Sequence, residues 1–598
     1  MRAPHLAHAA LAALAMVVWA RADVPVTIDR LAPRDSWFVI GVDDLTATRE
    51  RWDRTAVVRW WNSESIQKLV QEDLETSRRQ AAERLRELGV PEDAWSLPRT
   101  AGASLYAARD EDLDSDQAHF LAYGDWGEHA EGVGAILDAL IAERERERPG
   151  STVGAEIAGH KATRITVRPE ETAPEVGPDG RPRRPRPRRG GLFGEGGTFQ
   201  HVEHIWYLRL GERFLLGSVE QDLAEAVEVL EGGPDRGLPD ESAFRDGLAQ
   251  VGRGDGWAVL LTEPMQRVAG TASAQLGFLQ PMLTTLFGQV KAYAFGLRSD
   301  ESGVQFDLLS GILVQGERRG VLALPDPAVA ITPPPSFVPG DAVGYGTIQV
   351  QFRDLMKLIE TAVSAMPGEM AGMMEPTLQQ YGPDLRKAFD ALGPQVHVVA
   401  RSAGMPGRDA QENQQGIYAM ACRDEQAVTG LLNLFLPEAG FEPRDFNGNT
   451  IFSAGDDDMS MGFGGGMFYM GTTTLVEQCL RGGQGGLADS SACRQSMTAA
   501  GSEPAIGWGF TDMVASLEAS REALVAAASR AERGALPKGQ RDLAGEAGIQ
   551  LPEGLAENLQ EVDAESLATG FGPMQWDLRP LPNGLLTRFR LLAPASAD

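Results

Sequence analysis

The chain has 598 residues, 43% of them hydrophobic and 23% charged, and carries a formal net charge of −29. A length near 600 exceeds what one hydrophobic core supports, so two or more domains are expected. The acidic balance favours solubility and excludes general nucleic-acid binding through a basic surface.

In chain order, the first segment has the form of a secretory signal. Arg2 supplies a positive charge, Leu6 to Trp19 an apolar run, and Ala20-Arg21-Ala22 a small-x-small cleavage site before Asp23. That run is too short and Ala-rich for a membrane span, and no later run of about 18 apolar residues exists. No Cys follows the cleavage site to carry a lipid. Loss of residues 1–22 removes two arginines and no acids, so the expected mature chain is more acidic still and exported, periplasmic or extracellular, with no transmembrane segment.

Residues 23–325 read as a first α+β domain. Trp37 to Val42 is a strand of β-branched and aromatic residues. Ile66, Val70, Leu74, Ala81, Leu85 and Leu88 recur at helical spacing, with Asn62 or Ser63 as N-cap and Gly89 as stop. Strands at 102–109 and 118–124 flank an acidic loop, and Val133, Ile136, Leu137 and Leu140 mark the next helix. A hairpin of 153–158 and 162–168 is expected to turn at Gly159-His160. Strands near 203–210 and 213–217 precede two helices split by Gly232-Gly233-Pro234. A strand near 257–262, a helix over 264–288 and a hairpin near 290–312 close the unit. Helices interrupting antiparallel pairs argue α+β rather than a doubly wound nucleotide-binding sheet.

Residues 169–200 break this pattern. Arg181, Arg183, Arg184, Arg186, Arg188 and Arg189 alternate with prolines ahead of Gly190-Gly191. Such a stretch buries too little apolar surface to offset its ordering entropy, so a disordered loop is expected. It either docks on an anionic surface or polymer through salt-sensitive attraction, or acts as a solubilising spacer.

Pro-rich residues 326–338 read as a semi-rigid connector. Residues 339–598 then repeat the first order: a strand near 343–350, strands at 395–401 and 416–422, a helix at 424–435, an Asn447-Gly448 hairpin turn, a helical insertion over 513–565, and closing strands near 567–577 and 584–592. Local echoes support a tandem copy. Pro33-Arg-Asp returns as Pro339-Gly-Asp, Phe214-Leu-Leu-Gly217 as Phe468-Tyr-Met-Gly471, and Ser242-Ala-Phe-Arg245 as Ser491-Ala-Cys-Arg494. Units this long mark a duplicated domain, not a solenoid. With its Pro-x-Asp openings, Gly-turn hairpins and N-terminal signal, the chain resembles uncharacterised secreted bacterial proteins grouped under domains of unknown function. That resemblance implies the tandem α+β architecture and brings no residue-level function.

Candidate chemistry is sparse. Cys479 and Cys493 flank a Gly-rich stretch and are either two buried thiols or, after export, a disulfide closing a small loop. Cys422 ends a strand-like run and is expected to be buried. Met356, Met366, Met370, Met373 and Met374 share one helical region, although Pro367 and Gly368 threaten its continuity. Met366, Met370, Met373 and Met374 could line an adaptable apolar groove, bind a soft ion such as Cu(I), or fill a core. A second group, Met459, Met461, Met467 and Met470, surrounds one strand.

Asp112-Leu-Asp114-Ser-Asp116 resembles a calcium loop but has Gln117 where glycine belongs and Tyr123 where the closing Glu belongs. His201 and His204 point to opposite faces if their segment is a strand. His397 aligns roughly with Leu105 and reads as a satisfied core or edge residue. No nucleophile elbow, zinc-protease motif or phosphate loop occurs, and no motif implies a cofactor or a metal. The expected function is an exported, non-catalytic binding or structural scaffold. A carrier of an apolar ligand or lipid is the alternative, and a hydrolase without a recognisable motif is third.

Overall fold

The computed structural model describes residues 26–107, 118–167, 202–266, 286, 288–299, 304–366, 368–401, 416–436, 440–454, 459–482, 486–518, 521 and 564–595. The signal segment, the 112–116 loop, the Arg-rich loop and most of the helices expected at 264–288 and 513–565 lie outside the described residues.

The fold is mixed α+β, built on a large antiparallel sheet. Ten strands come from the first half: β1 (Ser36–Val42), β2 (Thr100–Ala107), β3 (Ala118–Asp125), β4 (Thr152–Ile157), β5 (His160–Thr166), β6 (His204–Leu210), β7 (Arg213–Gly217), β8 (Gly256–Leu261), β9 (Val290–Arg298) and β10 (Val304–Val314). Ten more follow: β11 (Gly344–Gln349), β12 (Leu392–Ala400), β13 (Gly416–Cys422), β14 (Phe441–Phe446), β15 (Asn449–Ala454), β16 (Met459–Gly464), β17 (Met467–Thr472), β18 (Gly507–Thr511), β19 (Met574–Leu581) and β20 (Gly584–Leu592).

From its outer edge inward, the first half runs β4, β5, β6, β7, β3, β2, β1, β8, β9, β10. The second runs β14, β15, β16, β17, β13, β12, β11, β18, β19, β20. The strand order is the same in both halves. They meet where β10 pairs with β20, from Val304 opposite Leu592 to Leu313 opposite Gly584, so the sheet continues from one half into the other.

The turns follow from their residues. Asn447 and Gly448 sit at φ 53° and 82°, the positive values a two-residue hairpin needs. In the first half the turn falls one residue earlier than expected, at Ala158 (φ 48°) and Gly159 (φ 81°), and His160 opens β5. The long helix runs Glu64–Glu87 after Ser63, with Gly89 at φ 74° just past its end. The first closing strand of the second half begins at Met574, later than expected, because a helix occupies Ala564–Gly570. Pairing also corrects the placement of His397. Its partner Thr347 sits opposite Trp508 as Gly41 sits opposite Trp257, so its counterpart is Gly102, not Leu105.

One face of the sheet is covered by helices in both halves. Phe244, Leu248 and Val251, at four- and three-residue spacing on the helix Ser242–Val251, pack on Val259, Ala292, Ala294 and Leu309. Ala492 and Cys493 of the helix Ser491–Ala500 share a core with Tyr345, Trp508 and Phe510. The connector docks on the second half: Val329 exchanges two 2.9 Å hydrogen bonds with Ala505, and Ile331 and Phe337 pack on the core beside buried Val338.

Beneath the helix Ser491–Ala500 lies a buried charge cluster. Arg579 Nε donates to Asp577 Oδ1 at 2.6 Å, Gln575 Nε2 donates to Asp577 Oδ2 at 3.2 Å, and the Arg590 guanidinium lies 3.7 Å from the same carboxylate. Arg579 and Arg590 also donate to the carbonyls of Ala500 and Ala499, satisfying the open C-terminal end of that helix. Asp307 of β10 lies 3.9 and 4.0 Å from Arg588 and Arg590 of β20, carrying the cluster across the junction of the halves. Burial raises the Asp577 carboxyl above its ordinary value despite Gln575 and Arg588, so this charge depends on its partners. Replacing Asp577 by Ala takes from two buried guanidinium groups the carboxylate they share, leaving Arg579 with Glu503 and Arg590 with Asp307 as acidic partners, and is expected to cost up to roughly 3–5 kcal/mol of stability. Urea unfolding of the two proteins measures it, and a loss under about 1 kcal/mol would show that the cluster is solvated.

Candidate functional site

On the opposite face, the described helices cover the outer parts and one end of the central strands, where Trp52 of the helix Leu45–Asp53 packs edge-on against Phe306 of β10 with 5.4 Å between ring centroids. Val133, Leu137 and Ile141 of the helix Ala130–Glu147 pack on Tyr207, Phe214 and Leu216. Ala388 and Ala391 of Gly368–Ala391 and Val428 of Glu425–Phe435 pack on Val396, Met420, Phe463 and Phe468.

The register shows what lies between. Residues directly opposite in antiparallel strands share a face. Ile40, Ala258, Phe295, Ser310, Thr587 and Leu578 therefore form one row across β1, β8, β9, β10, β20 and β19. Gly256, Leu297, Leu308, Phe589 and Trp576 form the row on one side of it. Phe38, Leu260, Tyr293, Ile312, Leu585 and Pro580 form the row on the other.

This surface is apolar and open to solvent. Ile40 is 43% exposed, Phe295 and Leu308 42% each, and Phe589 37%, while Phe38, Leu260, Tyr293, Leu297, Ile312, Trp576 and Leu578 are half-buried. Ser310 and Thr587, paired at the junction of the halves, place two hydroxyls at its centre. Glycine sets one border: a Cβ on Gly346 or Gly509 would stand 2.8 and 2.6 Å from the Trp576 indole, so only glycine lets that ring lie against the sheet. Six strands at about 4.8 Å spacing, and three rows about 6.8 Å apart, give a platform of roughly 24 by 14 Å. Such a surface can desolvate an apolar molecule and offer it a central hydroxyl contact.

The methionines read as a groove are placed differently from one another. Met366 is half-buried just past the helix Phe352–Ser364. Met373 and Met374, on the helix Gly368–Ala391, are 78% and 46% exposed. Met370 belongs to that helix, but its side chain lies outside the described residues. Met356 is buried, and Met461 and Met470 pack against the Phe463–Phe468 core.

Cys422, Cys479 and Cys493 are free and buried. The last two thiols sit in one core, where burial pushes Cys479 up to about 12 and Cys493 up to about 11. Arg181, Arg183, Arg184, Arg186, Arg188 and Arg189 lie outside the described residues, as does His201. His204 opens β6, with Nδ1 3.3 Å from Thr166 Oγ1. No group of three or more His, Cys, Asp or Glu among the described residues is placed to hold a metal ion. No helix among them is long and apolar enough to cross a membrane.

Two polar pairs escaped the sequence, because their members lie far apart along the chain. Ser218 Oγ is 3.0 Å from His119 Nδ1 and accepts the Phe120 N–H at 3.1 Å, tying the end of β7 to β3. The Tyr345 hydroxyl is 2.8 Å from His397 Nδ1, inside the second-half core.

No family model and no curated protein matches the chain. A solved structure titled "Structure of crystal form I of TP0453" is similar at 10% identity and a TM-score of 0.22, covering 45% of this chain and 82% of that one. A likeness at that level carries no argument about fold or function.

Burial pushes the His397 imidazole down from its ordinary 6.5 to about 4. Between those values the unfolded chain takes up a proton that the folded state refuses. The stabilisation from neutral His397 is therefore complete above about pH 6.5 and is lost as pH falls toward 4. At about 1.4 kcal/mol per pH unit, the loss over this window amounts to roughly 3 kcal/mol. Urea unfolding between about pH 7.5 and 4 should record it, with His397→Gln flattening the profile. Identical slopes for both proteins would assign the acid sensitivity elsewhere.

Proposed function

We propose that the protein is an exported binding protein that holds an apolar ligand on the platform where its two halves join. The observation that carries this reading is the exposure of Ile40, Phe295, Leu308 and Phe589 on one continuous apolar face. Soluble proteins rarely leave such patches open without a binding role. The size of the platform favours a small molecule over a protein. Roughly 24 by 14 Å is well below the ~800 Å² per partner of a stable protein interface. Aromatic and aliphatic side chains around a hydroxyl pair suit an extended or ring-shaped hydrocarbon bearing a polar group, such as a lipid.

The architecture in this proposal is a tandem duplication. Its support is the identical strand order of the two halves, together with the echoed segments Phe214–Gly217 and Phe468–Gly471, which lie in equivalent strands. Export rests on the form of residues 1–22.

Organic extraction of the native protein followed by mass spectrometry should recover a bound lipid-like molecule. Titration with a fluorescent fatty acid should give saturable binding that Leu308→Glu or Phe589→Glu weakens by about tenfold or more, since each buried side chain of this kind contributes ~1.5–3 kcal/mol. An empty extract, with equal binding by folded wild type and variants, would overturn the reading. Intact mass of the exported protein should place its first residue at Asp23.

A further inference from the structure

The outermost strands occupy the same place in the two halves but differ at a residue that decides whether each can accept another strand. Among the described residues, β4 pairs with β5 alone and β14 with β15 alone. Each joins its neighbour through a two-residue turn, Ala158-Gly159 or Asn447-Gly448, with all four residues at positive φ. In such a hairpin the residues flanking the turn form a closely hydrogen-bonded pair, and the bonding alternates from there. Ile157 and Phe446 are those flanking residues. Ile157, Ala155 and Val153 therefore direct their backbone groups to β5, while Glu156, Gly154 and Thr152 direct theirs away from the sheet.

Counted from the turns, Gly154 corresponds to Pro443. Both residues sit where the backbone nitrogen faces outward. Proline at that position deletes the donor an incoming strand would need, and exposed Glu442, Arg444 and Asp445 add charge around it. β14 is thus a blunted edge of the kind that resists pairing. On β4 the nitrogen keeps its hydrogen. Gly154 is exposed, no atom lies within 4 Å of where its Cβ would stand, and neighbouring Val153 is 41% exposed.

The geometry points to β4 as a docking edge for β4 of a second copy, paired antiparallel about a twofold axis through Gly154. In that register Gly154 meets its own counterpart, and each residue's N–H donates to the other's carbonyl. Thr152 meets Glu156 and Val153 meets Ala155, so no like charges are opposed. Thr152 contributes its carbonyl, and its N–H, which donates to Glu145 Oε2 at 2.8 Å in the single chain, must exchange that carboxylate for the incoming Glu156 carbonyl as the strands dock. This register makes β4 self-complementary, which is why a second copy is the occupant. The overall charge of −29 opposes the approach of two copies, so added salt should strengthen the dimer as the screening length shortens from ~10 Å at 0.1 M to ~3 Å at 1 M.

Sedimentation equilibrium of the full mature chain tests this. A concentration-dependent dimer is expected, tighter at higher salt. Gly154→Pro, which copies the β14 edge, should weaken it by about tenfold or more through loss of two hydrogen bonds. Gly154→Lys sets two ammonium groups face to face without touching a bond to β5, and should weaken it comparably; it decides the matter if the proline variant fails to fold. Leu308→Glu should leave dimerisation unchanged, which separates this edge from the apolar platform. A monomer at every concentration and salt, or a dimer indifferent to both Gly154 variants with unchanged circular dichroism, would overturn the proposal.

Discussion

Pairing of β10 with β20 is the constraint on which the rest of the molecule depends. Each is the last strand of its half, and each would otherwise present a long open edge rich in Leu and Phe, the kind of edge that soluble proteins avoid exposing. Their union hides both edges. It also sets Leu308 beside Phe589 and Ile312 beside Leu585 on one face, and Asp307 beside Arg590 on the other. The platform and the buried charge cluster are therefore two sides of the same seam. The halves differ around it: the first has Ala294, Gly296 and Gly311 beneath a closely packed helix, while the second has Gln575, Asp577 and Arg590. A smooth backbone in one half and satisfied charges in the other solve the same problem of seating a helix on the sheet.

Much of this order was legible in the sequence, because turn chemistry and periodicity are local. Asn447-Gly448 names its turn, Ser63 and Gly89 bound a helix, and the hairpin expected at 153–158 and 162–168 lies within two residues of β4 and β5. Where local signals were weaker, the reading drifted. Gly159-His160 carried no stronger turn signal than Ala158-Gly159, and only pairing placed Ala158 in the left-handed region. Matching His397 to Leu105 failed because a shift along a strand exchanges the faces of a sheet. Gly102, its true counterpart, leaves room for the neighbouring Ile28 side chain, which a Cβ would approach to 2.3 Å.

The platform was illegible for a physical reason. β9 and β10 are apolar on both faces, which in one dimension looks like a strand buried on both sides. Nothing in Leu308-Leu309 states that Leu309 is 2% exposed while Leu308 is 42% exposed. That difference arises when helices settle on one side. The methionines are more conspicuous in composition, although Met373 and Met374 lie at the surface on a helix. The decisive residues are common ones, distinguished only by what fails to cover them.

The seam also changes the meaning of the Pro-rich connector. Because the closing strand of the first half is bonded along its length to the final strand of the chain, the peptide link between the halves is not what holds them together. Its contribution is effective concentration, turning an encounter between two bodies into an intramolecular event. A single proteolytic nick between the halves would leave a complemented pair of fragments, and the molecule would survive the cut as a non-covalent heterodimer.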